Sequence, residues 1–403
     1  LVIKGIDTIH TFSLNLLVRL KSPIIFIIEM SPYRIHPLLD KDIQKKARQY
    51  EKEKRLIALL KMFVLLFLVL AFYYSGLSAW LSNIDKDSSV ILAFSVYILC
   101  FQSLIFLLAF PVGYYSGYVH EHKWNFSNQT VKSWLVEQGK SFLVGLIMMW
   151  IILGLLFLIM DEFPRYWWLI AGLVYGLISV VFSTLFPVLV FPLFNKYTPI
   201  RNKNLTGALE KLLSKEGLKS SGFFMEDMSR QTKKENASLA GLGKTRRVVL
   251  GDNLINNMSV PEIVSIMAHE VGHYKHRHMW KSLMTGTFQQ VIVFFLLDRI
   301  MRFVFPGFMS GFRMNLALFP FFILLLEVIS TFLFGPVGNA ISRYYERQAD
   351  RYALEKINDK RAFIEALAGL TNRNFINAYP EKWIKFLFYS HPPVGERLET
   401  GKK

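Results

Sequence analysis

Hydrophobic residues in this chain fall into long unbroken runs rather than into the periodic stripes of soluble helices. Six stretches stay apolar for about the 20 residues a helix needs to cross the hydrocarbon of a bilayer: residues 62–81, 90–111, 141–160, 166–194, 283–305 and 316–341. The fourth is longer than required and carries Pro187 and Pro192, which predicts a kink or an early exit. The fifth is interrupted by Gln289, Gln290 and Asp298 and the sixth by Glu327, as in helices that face a wet interior rather than lipid. Ahead of them, residues 8–29 are moderately apolar but broken by Arg19 and Lys21. That segment reads either as a weak seventh span or as an upstream extension with the natural start at Met30. The pattern predicts an all-α polytopic membrane protein.

The polar stretches carry a different period. Residues 203–218 (KNLTGALEKLLSKEGL) form an amphipathic helix pattern ended by Gly217. Residues 223–228 and 247–250 are short β-prone runs with a Gly-, Ala- and Ser-rich segment, 236–244, between them, which predicts a strand pair or a three-stranded sheet. Ser259-Val-Pro-Glu262 is a capping-box pattern that starts a helix through Ile263, Ile266 and Met267 to His269. Residues 345–372 predict a further helix. The chain thus divides into an N-terminal segment (1–30), a basic amphipathic segment (31–61), four spans (62–194), a small α+β part (195–281), two spans (282–341) and a tail (342–403).

Composition supports the membrane reading. Of 403 residues 52% are hydrophobic, 15% aromatic and only 19% charged, against about 25% charged in ordinary globular chains. Disorder, collagen-like repeats and coiled coil are excluded by the same figures. A net charge of +17, from 47 Lys and Arg against 30 Asp and Glu, fits basic loops that hold spans in orientation better than it fits nucleic acid, because the loops lack aromatic interleaving. Residues 34–61 hold Lys41, Lys45, Lys46, Arg48, Lys52, Lys54 and Arg55 and are therefore placed in the cytoplasm, and alternation puts residues 195–281 and 342–403 there as well. The outer loop after the fifth span, with Arg299, Arg302 and Arg313, fits this rule poorly. The single cysteine, Cys100, excludes an intrachain disulfide and argues against a thiolate cluster. Ser238–Thr245 approaches a phosphate-binding loop, but its first position is not glycine and it leads into a strand pattern, so no nucleotide is expected.

The chemistry concentrates in His269-Glu-Val-Gly-His273, inside the capped helix. Histidines at i and i+4 share one helix face and can grip one cation, and Glu270 beside the first can reach a metal-bound water as general base. Zinc suits two imidazoles, a carboxylate and an open position. Glu346 is the candidate third ligand, because an out-and-back hairpin returns the chain from His273 to the same membrane face. Asp350, one turn later, is placed to accept a proton from a ligating imidazole. Taken alone, Glu346 and Asp350 suit a solvated helix face with Arg343 and Arg347. His276 and His278 read as exposed basic residues at a membrane boundary.

HEVGHYKHRH (269–278), ERQAD (346–350) and YSHPPVGERL (389–398) resemble the integral-membrane M48 metallopeptidases, in particular the Ste24 or CAAX prenyl protease branch. Residues 114–130, 191–200 and 236–255 resemble further family segments in the same order, so the similarity runs from about Ser31 to Leu398. The resemblance implies a ring of helices enclosing a water-filled chamber, with one zinc ion near the cytoplasmic side. It implies His269, His273 and Glu346 as ligands, Glu270 as base, Asp350 as their support, His391 at the substrate carbonyl, Arg397 beside it and Asn236 at a substrate-side strand. The implied partners are the lipid bilayer and a peptide or protein substrate, C-terminally prenylated in that branch. The implied location is the inner membrane in a prokaryote or the endoplasmic reticulum in a eukaryote. Two alternatives remain open at this point: a quality-control protease without prenyl specificity, and a transporter or scaffold with a structural metal site.

Overall fold

In hydrocarbon a backbone can bond only to itself, so long apolar runs must become long helices. The computed structural model describes residues 35–84, 89–241 and 246–400; residues 8–29 and Met30 lie outside them. Six of its helical stretches are long and apolar enough to cross a membrane, one for each run.

Helix α1, Lys41–Tyr74, fuses the basic segment and the first span into 34 uninterrupted residues. No Gly or Pro falls within it, and the Asp40 side chain caps its start by accepting from the Ile43 N–H at 2.8 Å. It ends sooner than the apolar run because Gly76 takes a left-handed turn (φ 79°), after which α2, Leu77–Ser82, forms a separate short helix. Helix α3, Val90–Tyr114, continues through a π-turn at Tyr115–Val119 to Lys123. Next come α4, Val131–Glu162, and α5, Trp167–Leu189. Pro187 sits in the last turn of α5, and the chain leaves through a 3₁₀ turn at Phe191–Leu193.

The small soluble part has one more strand than predicted. Strand β1, Tyr197–Pro199, is followed by helix α6, Lys203–Lys215, and by β2 Phe223–Glu226, β3 Ala237–Ala240 and β4 Arg247–Gly251. The sheet order is β1-β2-β4-β3, with β2 and β4 parallel and the outer pairs antiparallel. Both β1, three residues with a terminal proline, and the small-residue β3 lack the bulky alternation that marks a strand in sequence. Helix α7, Asp252–Asn257, leads to α8, Val260–Lys275. The capping box is present: the Ser259 N–H donates to the Glu262 carboxylate at 2.7 Å.

After α8, Arg277 adopts a left-handed conformation (φ 54°) that redirects the chain into α9, His278–Val304. Short helix α10, Phe312–Ala317, precedes α11, Phe319–Val328, which runs through a π-turn at Ile329–Phe334 into α12, Gly335–Lys356. The sixth span therefore extends without a break past residue 341 to carry Glu346 and Asp350. The helix predicted over 345–372 is in fact two. Helix α12 stops at Lys356, and α13, Lys360–Arg373, starts afresh with Asp359 accepting from the Ala362 N–H at 3.2 Å. Helices α14, Lys382–Phe388, and α15, Val394–Thr400, complete the chain.

The spans hold each other by close approach and by one buried charge. Gly172 and Gly176 on α5 face Val291 and Thr287 on α9 so closely that a methyl at 172 would lie 2.9 Å from the Val291 Cα. Asp298 is fully buried and accepts from the indole N–H of Trp167 at 2.6 Å and from the Arg302 Nε at 2.9 Å, while Arg299 pairs with it at 2.7 Å. Arg313 donates to the Ser82 carbonyl at 3.0 Å. The three arginines that break the loop-charge pattern are thus committed to protein partners.

Gly172→Ala is expected to lower stability by about 1–3 kcal/mol through overpacking against backbone. Gly139→Ala, inside α4 where an added methyl meets nothing within 4 Å, should be neutral or slightly stabilising. Thermal unfolding of both in detergent checks this, and equal melting points would contradict it.

Candidate metal centre

Helix α8 sets His269 and His273 one turn apart, and α12 sets Glu346 and Asp350 one turn apart. Gly272 brings the two pairs together. A methyl there would lie 3.0 Å from the Ala349 Cα, so the helices approach backbone to backbone. The Nε2 atoms of His269 and His273 face each other at 3.1 Å. Each also faces Glu346: His269 Nε2 lies 3.3 Å from Oε2 and His273 Nε2 lies 3.3 Å from Oε1. One ligand atom from each residue fits within 4.8 Å of the others.

This arrangement suits a cation. Glu346 is buried, and its Oε2 has no hydrogen-bond partner. Two imidazole nitrogens at contact distance cannot both carry hydrogens toward each other, so at least one lone pair is directed into the gap beside the Glu346 carboxylate, and in the doubly neutral tautomer that a cation would select, both are. Buried polar atoms are almost always satisfied, and a divalent ion would satisfy all of these together.

The surrounding groups are ordered in layers. His269 Nδ1 lies 2.9 Å from Asp350 Oδ1, close in distance though off the ideal hydrogen-bond line. Asp350 is gripped in turn by Arg397, which donates from Nε at 2.8 Å and from a terminal nitrogen at 2.6 Å. His391 reaches the same oxygen of Glu346 as His273, with its Nε2 at 3.3 Å, while its side chain stays 60% exposed. Arg343 ties the segment before His391 to α12 by donating to the Lys385 carbonyl at 3.0 Å and the Tyr389 carbonyl at 2.5 Å. Glu270 and His273 line a cavity of about 910 Å³ together with Leu239 and Gly241. Six of the eight residues singled out in sequence therefore meet at one point, and Glu270 lines the adjoining cavity. Asn236 does not join the cluster. It stands just before β3, with its carbonyl accepting from the Gly251 N–H at 2.9 Å.

One neighbour departs from the sequence expectation. His278 is not an exposed boundary residue: it is 3% exposed, with Nδ1 at 3.0 Å from His273 Nδ1 and Nε2 at 2.9 Å from Gln348 Oε1. A regular helix would send residue 278 away from 273, and the left-handed turn at Arg277 brings it back. His276 stacks against His278, with ring centroids 5.4 Å apart.

Residues 27–196 match the family described as CAAX prenyl protease N-terminal, five membrane helices, and residues 199–403 match peptidase family M48. CAAX prenyl protease 1 of Saccharomyces cerevisiae is 31% identical over 324 residues, covering 74% of this chain and 71% of the relative. The uncharacterized metalloprotease YhfN of Bacillus subtilis is 29% identical over 291 residues, covering 71% of this chain and 68% of the relative. The chain belongs to peptidase family M48. Its fold is similar to the crystal structure of S. mikatae Ste24p, with a TM-score of 0.81, 25% identity and coverage of 92% of this chain and 91% of that one. This M48 protein is an integral multi-pass membrane metallopeptidase, and the family implies a metal ion and a peptide or protein substrate.

Without metal, the carboxylates around this centre favour a proton on His269. Burial opposes charge on His269, but the Asp350 and Glu346 carboxylates outweigh it and raise its pKa from 6.5 to about 9. Burial likewise pushes the Glu270 carboxyl upward, partly offset by the two neighbouring histidines. Because the folded pKa of His269 is raised, its contribution is complete below about pH 6.5 and is lost as pH rises through about 9. A tenfold change in proton affinity is worth about 1.4 kcal/mol, so this contribution is on the order of 3 kcal/mol. Chelator-treated protein is expected to lose that stability in denaturant between about pH 6.5 and 9.5, and His269→Asn should flatten the slope. An unchanged slope in the variant would contradict the assignment.

Proposed function

We propose that this chain is a zinc endopeptidase acting at the membrane, with His269, His273 and Glu346 as the zinc ligands, one ion per chain, and Glu270 as general base. The observation that carries the reading is the meeting of these three side chains, from two helices far apart in sequence, around an unsatisfied carboxylate oxygen. Bound there, zinc supplies Lewis acidity and brings a water's pKa to about 7.

The chain's own groups do the rest. Glu270, with a carboxyl biased toward holding a proton, takes one from the attacking water and delivers it to the leaving amine. Asp350 holds the Nδ1 side of His269 so that its Nε2 lone pair faces the ligand position, and Arg397 keeps Asp350 ionised and aimed. His391 is exposed and borders Glu346, where it can donate to the substrate's carbonyl oxygen as negative charge develops. Among the described residues β3 has no strand on its outer edge, and Leu239 on it lines the Glu270 cavity. A peptide adding there as a strand would be held by main-chain hydrogen bonds from about Asn236 onward, which is weakly selective for sequence.

We assign the metal side of the protein to the cytoplasm from loop charge; the family resemblance suggests the inner membrane if the source is a prokaryote and the endoplasmic reticulum if it is a eukaryote. A C-terminally prenylated protein is the substrate class suggested by the yeast relative. YhfN is of comparable similarity and its name specifies no substrate, so turnover of membrane proteins without prenyl specificity stands beside it.

The test is cleavage of a quenched fluorescent peptide by the purified protein with and without a chelator. Glu270→Gln is expected to keep its metal and lose about 10²–10⁴ in kcat. Full activity in that variant, or cleavage that survives metal removal, would overturn the reading.

A further inference from the structure

The two histidines of the centre are held from behind by unlike groups. His269 has a carboxylate, Asp350, at its Nδ1. His273 has a second imidazole, His278, at 3.0 Å between the two Nδ1 atoms. His278 is buried, stacked on Tyr345 with ring centroids 4.4 Å apart and an interplanar angle of 14°, and bonded through Nε2 to Gln348 Oε1 at 2.9 Å. Gln348 is oriented in turn, donating from Nε2 to the Tyr344 hydroxyl at 3.0 Å.

Hydrogen-bond polarity fixes the rest of the chain. An amide oxygen only accepts, so His278 must carry its hydrogen on Nε2 and leave Nδ1 as a lone pair. Between the two Nδ1 atoms a single hydrogen fits, and it then belongs to His273. A neutral His273 with hydrogen on Nδ1 has its lone pair on Nε2, the atom that faces His269 and Glu346. The opposite polarity would put the hydrogen on His273 Nε2 and close that position to a cation.

We propose that His278, oriented by Gln348, is a positioning residue that locks His273 into the one neutral tautomer able to bind metal. The inference rests on the reading of His269, His273 and Glu346 as the ligand set. It predicts that acceptor character at position 278, rather than ring volume, governs how tightly the site holds an ion. Asparagine can place its amide oxygen near the Nδ1 position, whereas phenylalanine fills the space and keeps the stacking on Tyr345 without any acceptor.

The test uses full-length protein in detergent micelles, stripped of metal and titrated with zinc alone against a competing chelator. Cobalt(II) spectra report the ligand field at the same site. His278→Phe is expected to weaken zinc about 10- to 100-fold, the usual effect of losing such a partner, and to shift the cobalt bands. His278→Asn should recover most of the affinity. Gln348→Met, which leaves His278 in place but removes its orienting acceptor, should weaken zinc in the same direction by a smaller factor. This variant carries the test if His278→Phe fails to fold, as judged by gel filtration and melting of the metal-free protein. Wild-type affinity and spectrum in His278→Phe, or equal loss in the folded Asn and Phe variants, would overturn the proposal. A wild-type protein that takes up no zinc would instead remove the ligand set itself, and the inference with it.

Discussion

A carboxylate buried against two imidazoles, with one oxygen that nothing donates to, is costly to keep in a protein interior unless a positive charge joins it, and Glu346 is in that position. The groups are 73 residues apart in sequence between His273 and Glu346, so it is the packed membrane hairpin and the close approach at Gly272 that bring them together. In the metal-free protein the neighbouring carboxylates bias His269 toward its charged form, and the proposed zinc ion would supply the charge in the active one. Either charge links α8 to α12, which makes the site a structural fastening as well as a chemical one.

That fastening depends on backbone features far plainer than the ligands. Gly272, between the two histidines, lets α8 and α12 meet without an intervening side chain. The sixth span continues unbroken from the bilayer into α12, so Glu346 and Asp350 are held on the end of a membrane helix rather than on a loop. The hairpin partner, α9, is locked to α5 by the close approach at Gly172 and Gly176 and by the Trp167 indole donating to Asp298. A rigid frame of this kind is what a hydrolytic centre needs, because small displacements of a base or ligand are expensive in rate.

Much of this can be read directly from residue order. Six apolar runs become six helices, the capping box at Ser259 opens the helix bearing the histidines, and Glu346, Asp350, His391 and Arg397 gather where topology and resemblance place them. The departures have physical causes. Strand β1 and strand β3 are too short or too small-sided to show a period of two. The break at 357–359 rests on a local cap that outweighs a continuous helical composition. His278 escapes sequence reasoning because a left-handed residue, Arg277, reverses the direction that helical spacing assigns. Hydrophobic pattern reports which side of a helix is buried, but not where one non-glycine residue turns the chain.

The most direct measurement of the central claim is X-ray absorption at the zinc edge of the metal-loaded protein, compared with a His391→Ala variant. The account predicts two imidazole nitrogens at about 2.0–2.1 Å and carboxylate and water oxygens at about 2.0–2.2 Å, with the shell unchanged in the variant. Three imidazoles in the first shell, one of them lost with His391, would describe a closed site with four protein ligands and contradict an open hydrolytic centre.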